Sequence, residues 1–166
     1  MAETFNQKSS EVLKSKDKEI TTKQMIKNVE TAAPIIDWQA YSEKQFSLEI
    51  RLPYDCFIAG TLTETNNKHS FYIEMFIVNE KLRGRGIGSN LIKLLINEIT
   101  KRGVTTLSGH FTSEGAIKAL AKIIGEDNLH YSDRYTGKEL ITPYTEYEAN
   151  PVDAIVTVDL KEIFKE

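Results

Sequence analysis

Over its first thirty residues the chain shows no sustained apolar pattern: Phe5, Val12, Leu13, Ile20, Met25 and Ile26 are scattered among Lys, Glu, Ser and Thr. So sparse a set buries little surface, and residues 1–30 are expected to form a polar arm or at most a marginal helix. From Thr31 the character changes. Ala32-Ala33-Pro34-Ile35-Ile36-Asp37-Trp38 brings in large apolar groups, and the folded domain is expected to occupy residues 31–166.

Three strand patterns follow. Phe46 to Leu52 alternates apolar and polar with period two, as a half-buried strand does, and Pro53-Tyr54-Asp55 closes it. Phe57 to Glu64 is the second run, ended by the turn Thr65-Asn66-Asn67-Lys68. Phe71 to Val78 is apolar at nearly every position, which predicts a central strand buried on both faces. Short turns between such runs predict an antiparallel meander.

The period then lengthens. Leu91, Ile92, Leu95 and Ile99 line one face of a predicted helix over Ser89 to Arg102, with Lys93, Asn97 and Lys101 opposite. Gly103 is suited to leave that helix. Val104 to Phe111 reads as a strand, and Thr112 or Ser113 can cap a second helix ending at Gly125. A strand, a helix and a further strand favour parallel pairing across the helix. Beyond it, Asn128 to Tyr131 suggests a short strand, residues 132–152 a loop, and Ala154 to Leu160 a last strand. The fold class expected is α/β of the α+β kind: a mixed, mostly antiparallel twisted sheet flanked by helices.

Composition narrows the function. The chain is 166 residues long with 40% apolar and 27% charged residues, an ordinary globular balance for one domain. A formal charge of −3 gives no overall field for nucleic acid or an anionic membrane, so neither is an expected partner. No run approaches the ~20 apolar residues of a membrane span, and the N-terminus lacks a secretory pattern. A cytoplasmic protein is expected. The single cysteine, Cys56, excludes an internal disulfide and is expected to be a buried thiol. His69 and His130 lack partners at metal-ligand spacing, and no metal is assigned. An exposed strand edge or the C-terminal segment offers a route to a homodimer.

The candidate chemistry lies in Arg83-Gly84-Arg85-Gly86-Ile87-Gly88, between the apolar strand and the amphipathic helix. Glycine permits positive φ and close backbone approach, so successive N–H groups can point into one concavity. The helix start adds unpaired N–H groups and the positive end of its dipole, a natural seat for a pyrophosphate. Arg83 and Arg85 add positive charge to an otherwise acidic protein. The loop has no Gly-Lys-Ser/Thr ending, which argues against a nucleoside triphosphatase, and its glycine interval differs from the dinucleotide fingerprint.

The stretch from Ile77 to Ile92 resembles the acetyl-CoA signature of the GNAT superfamily, whose core is Arg/Gln-x-x-Gly-x-Gly/Ala at a helix start; Arg83, Gly86 and Gly88 match it. The likeness is specific over about residues 70–103 and looser to residue 125. Before residue 57 no family feature is seen, including the usual first strand. The resemblance implies an N-acetyltransferase that passes an acetyl group from acetyl-CoA directly to a primary amine of a small molecule, peptide or protein. It implies that the amides of Arg83, Gly84, Arg85, Gly86, Ile87, Gly88 and Ser89 hold the pyrophosphate, and that the strand backbone at Phe76, Ile77 and Val78 pairs with pantetheine. It also implies that the strands on either side of the helix splay to admit the thioester.

Glu74 is the one charge in its apolar run and, buried there, would suit deprotonation of an incoming ammonium. His110, ending the strand on the other wall, is a second candidate base or substrate contact, since an imidazole can both accept and donate a proton. In the family an asparagine near the next helix start and a tyrosine along that helix serve the donor; here Ser113 stands at the first position and Leu120 or Ala121 at the second. Tyr131 or Tyr135 is then left to supply the phenol. The alternative reading is a catalytically silent module of the same fold that binds CoA or a partner protein.

Overall fold

A computed structural model of the chain describes residues 20–143 and 153–164. Most of the predicted arm, residues 1–19, and part of the predicted loop, residues 144–152, lie outside that range. The first element is helix α1 (Thr22–Thr31), started by a capping box in which the Thr21 side chain accepts from the Gln24 amide and the Gln24 side chain accepts from the Thr21 amide. Met25 and Val29, four residues apart and so on one face, are its buried residues and belong to the main core.

The sheet runs through β1 (Ile35–Ala40), β2 (Gln45–Leu52), β3 (Cys56–Thr65) and β4 (Lys68–Ile77) as an antiparallel meander. Helix α2 (Ile87–Lys101) crosses to β5 (Thr106–Phe111), which pairs with β4 in parallel. Then come α3 (Glu114–Ile124), β6 (His130–Ser132), β7 (Glu139–Leu140), β8 (Ala154–Asp159) and a short helix α4 (Leu160–Ile163). The spatial order is β1-β2-β3-β4-β5-β8-β6-β7, and β4–β5 is the parallel pair. The mixed, mostly antiparallel sheet expected from the sequence is the observed one. Among the described residues, no helix is long and apolar enough to cross a membrane.

Three local expectations are corrected. A first strand does precede residue 57: β1 pairs with β2 over six residues, but its burial is slight, with Trp38 alone half-buried, so it leaves no alternating pattern. The stretch 132–152 is not all loop, because β6 and β7 form a hairpin. The run from Phe71 is not buried on both faces. Phe71 and Ile73 point into the core, while Tyr72, Met75 and Ile77 are 39%, 47% and 38% exposed. The physical reason is one-sided cover. Leu48 and Ile50 of β2, Ile58 and Leu62 of β3 and Leu107 of β5 all turn to the face carrying α2 and α3, whose Leu91, Leu95, Ile99 and Leu120 close the core. Each such Leu or Ile contributes roughly 1.5–3 kcal/mol by leaving water.

The central irregularity is a β-bulge at Glu74. Ala59 pairs with Met75 and Gly60 with Ile73, so Glu74 is an extra residue opposite no partner on β3. Ile73 meets a glycine on each side, Gly60 on β3 and Gly109 on β5. A Cβ at Gly60 would stand 2.1 Å from the Tyr72 carbonyl oxygen, and one at Gly109 would stand 3.2 Å from the Ile73 carbonyl oxygen. The β4–β5 ladder ends at this point, after Ser70–Ile73 against Thr106–Gly109. Past it the two strands separate, as the resemblance implied.

Candidate active site

The glycine loop enters α2 without a side-chain cap: Gly86, the N-cap, has φ 81°. Gly84 has φ 74°, and a Cβ on either residue would meet nothing within 4 Å. Both take the left-handed backbone that glycine adopts at low cost, and both leave the space above them free. Gly88 is different. Its missing Cβ would lie 3.2 Å from the Phe76 ring, 3.6 Å from Val78 and 3.6 Å from Ala119, so here glycine lets α2, the end of β4 and α3 come together. The first-turn amides of α2 have no intrahelical partner by geometry and point outward at the helix start.

A cavity of about 670 Å³ lies at this junction. Every residue proposed from the sequence as a CoA contact lines it except Arg85, which is exposed outside. The Arg83 side chain folds back, its Nε donating to the Val78 carbonyl at 3.3 Å, so one of the strand groups expected to face pantetheine is engaged here by the loop's own arginine. Sequence reasoning missed Lys118 and Lys122, which share one edge of α3 and add two cations to the cavity wall. Their four-residue spacing on a helix was the available signal.

Where β4 and β5 part, a smaller cleft of about 300 Å³ is lined by Glu74, Phe76, Ile77, His110 and Ser113. Phe76, Ile77 and Ser113 also line the larger cavity, so the two spaces adjoin. Glu74 is exposed rather than buried, which corrects the expectation on which its role as a base was argued; the bulge turns it out beside Met75. The Thr61 hydroxyl donates to its Oε1 at 2.7 Å and fixes its direction. His110 is half-buried on the opposite wall and its Nε2 is hydrogen-bonded to Asp153 Oδ1. Asp153 went unnoticed because it lies 43 residues along the chain from His110 and has no local pattern.

The tyrosines fall elsewhere. Tyr131 lies on β6 and lines a separate groove along α3 with Ala121 and Pro143, and is not among the residues lining the cleft. Tyr135 is 77% exposed on the turn after β6, its hydroxyl bonded to Arg134 Nη2 and its ring 4.4 Å from the guanidinium. That turn is organised by Asp133, whose carboxylate accepts from the Thr136 and Tyr135 amides at 2.9 Å each. These two bonds, Thr136 the stronger influence, hold its pKa below the ordinary 3.8.

The profile of the Acetyltransferase (GNAT) family matches residues 19–125, more than half of the chain, and the chain belongs to that family. No curated protein matches it in sequence. Among solved structures it is similar to a Bacillus subtilis acetyltransferase in complex with CoA, at 13% identity over 77% of this chain and 99% of that one, with a TM-score of 0.48. A GNAT acetyltransferase from Elizabethkingia anophelis with acetyl-CoA bound aligns at 14% identity over 76% and 98%, TM-score 0.48. The ribosomal-protein-S18-alanine N-acetyltransferase of Escherichia coli aligns at 14% identity over 86% and 92%, TM-score 0.44.

Proposed function

We propose that this protein is an acetyl-CoA-dependent N-acetyltransferase acting on a primary amine. The observation that carries the reading is the adjacency of the two spaces: a cavity rimmed by an uncapped helix start, Arg83, Lys118 and Lys122 shares Phe76, Ile77 and Ser113 with a cleft walled by Glu74 and His110. A volume of about 670 Å³ lies within the roughly 300–1,000 Å³ range of ligand sites. The residues present fit a long anionic donor: amides and cations at one end for phosphates, and half-buried Phe76 and Val78 toward the other for an apolar arm. Acetyl-CoA, when bound, supplies an activated acyl thioester.

The chain's own groups then divide the work. Amides of the Gly84–Ser89 stretch hold phosphate, and the parted strands admit the thioester between them. Glu74, exposed on its bulge, attracts the incoming ammonium and aligns it. A proton acceptor completes the cleft.

A second reading, a silent module that binds CoA, has one observation in its favour. Neither Tyr131 nor Tyr135 lines the cleft, and Leu120, at one of the two positions where the family's helix tyrosine would fall, is 1% exposed in the core. Calorimetric titration with acetyl-CoA, followed by thiol release with free amino acids, polyamines and peptides bearing free N-termini or lysine, separates the two. Binding with amine-dependent release supports the enzyme. Binding with no release for any amine supports the module, and absence of binding removes both.

A further inference from the structure

Asp153 immediately precedes β8, and the β5–β8 register sets His110 opposite Ile155. Residues two apart on a strand share a face, so Asp153 is the diagonal neighbour of His110 on the side of the sheet opposite α2. Its backbone is held in place as well, the Asp153 amide donating to the Pro143 carbonyl at 3.0 Å. Asp153 also meets Arg134, whose Nε is 3.6 Å from the same Oδ1 that bonds His110. Asp153 and Arg134 come from segments distant in sequence from the glycine loop, yet Asp153 reaches the one histidine of the cleft and Arg134 reaches Asp153.

We propose that Asp153 is a positioning residue for acetyl transfer: by accepting from Nε2 of His110 it holds the tautomer in which Nδ1 carries the lone pair, making Nδ1 the proton acceptor for the incoming amine. The proposal rests on the acetyltransferase reading. Its physical basis is that a neutral imidazole has one donor and one acceptor nitrogen, and the hydrogen bond made by one fixes the role of the other. Asp153, when ionised, only accepts, so the Nε2 it touches must carry hydrogen. Arg134 supplies a cation beside the same Asp153 oxygen, and Glu74 across the cleft supplies the counter-charge that draws the ammonium in.

An ammonium R–NH3+ gives one proton to Nδ1 of His110, and the neutral amine attacks the thioester carbonyl carbon. The C–N bond forms and the C–S bond breaks, the sulfur leaving with the electron pair. The nitrogen loses its second proton to the thiolate, giving CoA thiol and the amide, and His110 returns the first proton to solvent.

Nitrogen-15 NMR of the labelled wild-type protein reads the tautomer directly, with the His110 ring assigned by its loss in H110Q. The expected spectrum has Nε2 protonated and Nδ1 bare in the neutral ring. In D153N, which preserves shape, the Nδ1-protonated form should appear, thiol release should fall roughly tenfold or more, and affinity for acetyl-CoA and the melting temperature should stay unchanged. D153E should restore part of the turnover and the wild-type tautomer. A wild-type ring protonated on Nδ1, or a D153N protein with both tautomer and turnover unaltered, overturns the proposal. The spectrum needs neither donor nor acceptor, so failure of the transferase reading shows separately, as wild-type protein that does not bind acetyl-CoA.

Discussion

Gly86 and Gly88 stand two residues apart in the same loop and separate ligand space from packing space. A side chain at Gly88 would press on Phe76, whereas one at Gly86 would project into the open volume of the cavity. G86E is therefore the cleaner probe. It should weaken acetyl-CoA binding roughly a hundredfold, because a carboxylate beside phosphates costs several kcal/mol, at a stability cost of about 1–2 kcal/mol for a left-handed side chain. Titration calorimetry and denaturant melts check both, and unchanged affinity would remove the loop from the site. Glu74 invites a different measurement. E74Q keeps the Thr61 contact but deletes the charge, so kcat/KM for the amine should fall roughly tenfold while acetyl-CoA affinity holds. At this scale the loop was readable, since Arg, Gly and Gly at fixed spacing carry their own geometry. Asp153 was not, because nothing near it in sequence records that β8 returns beside β5.

Among the elements, the β3–β4–β5 junction depends on small residues. G60A would force a methyl group to 2.1 Å from the Tyr72 carbonyl oxygen, and no rotamer relieves a clash with backbone. A loss of about 3 kcal/mol, the upper end for overpacking, should appear in urea unfolding; a variant of wild-type stability would show that the strands shift freely there. The helices α2 and α3 and the strands β2 to β5 were legible because each buries one stripe or alternate positions. β1 and α1 were not. β1 is an exposed edge with little to hide, and α1 rests on two buried side chains and a capping box that composition alone dilutes. The error at Phe71–Val78 has the same root: an apolar run does not say which of its members face water when cover lies on one side.

For the molecule as a whole, two sheet halves meet through a short parallel ladder, Ser70–Ile73 with Thr106–Gly109. A ligand that spans the gap beyond it should tie the halves together. Acetyl-CoA at a hundred times its dissociation constant should raise stability by about 2.7 kcal/mol, and hydrogen exchange should slow on both sides of the gap, at residues 74–78 and 110–113 together. Slowing confined to the glycine loop would mean that the donor sits on one half only. The bulge gives this architecture an arithmetic of its own. Phe71, Ile73 and Phe76 face inward, and Tyr72, Met75 and Ile77 outward, so excising the single letter Glu74 would leave an unbroken in-out rhythm with no side chain changing sides. The chain missing that residue could zip β4 to β5 along its length, and the acidic group and the opening it overlooks would vanish in one deletion.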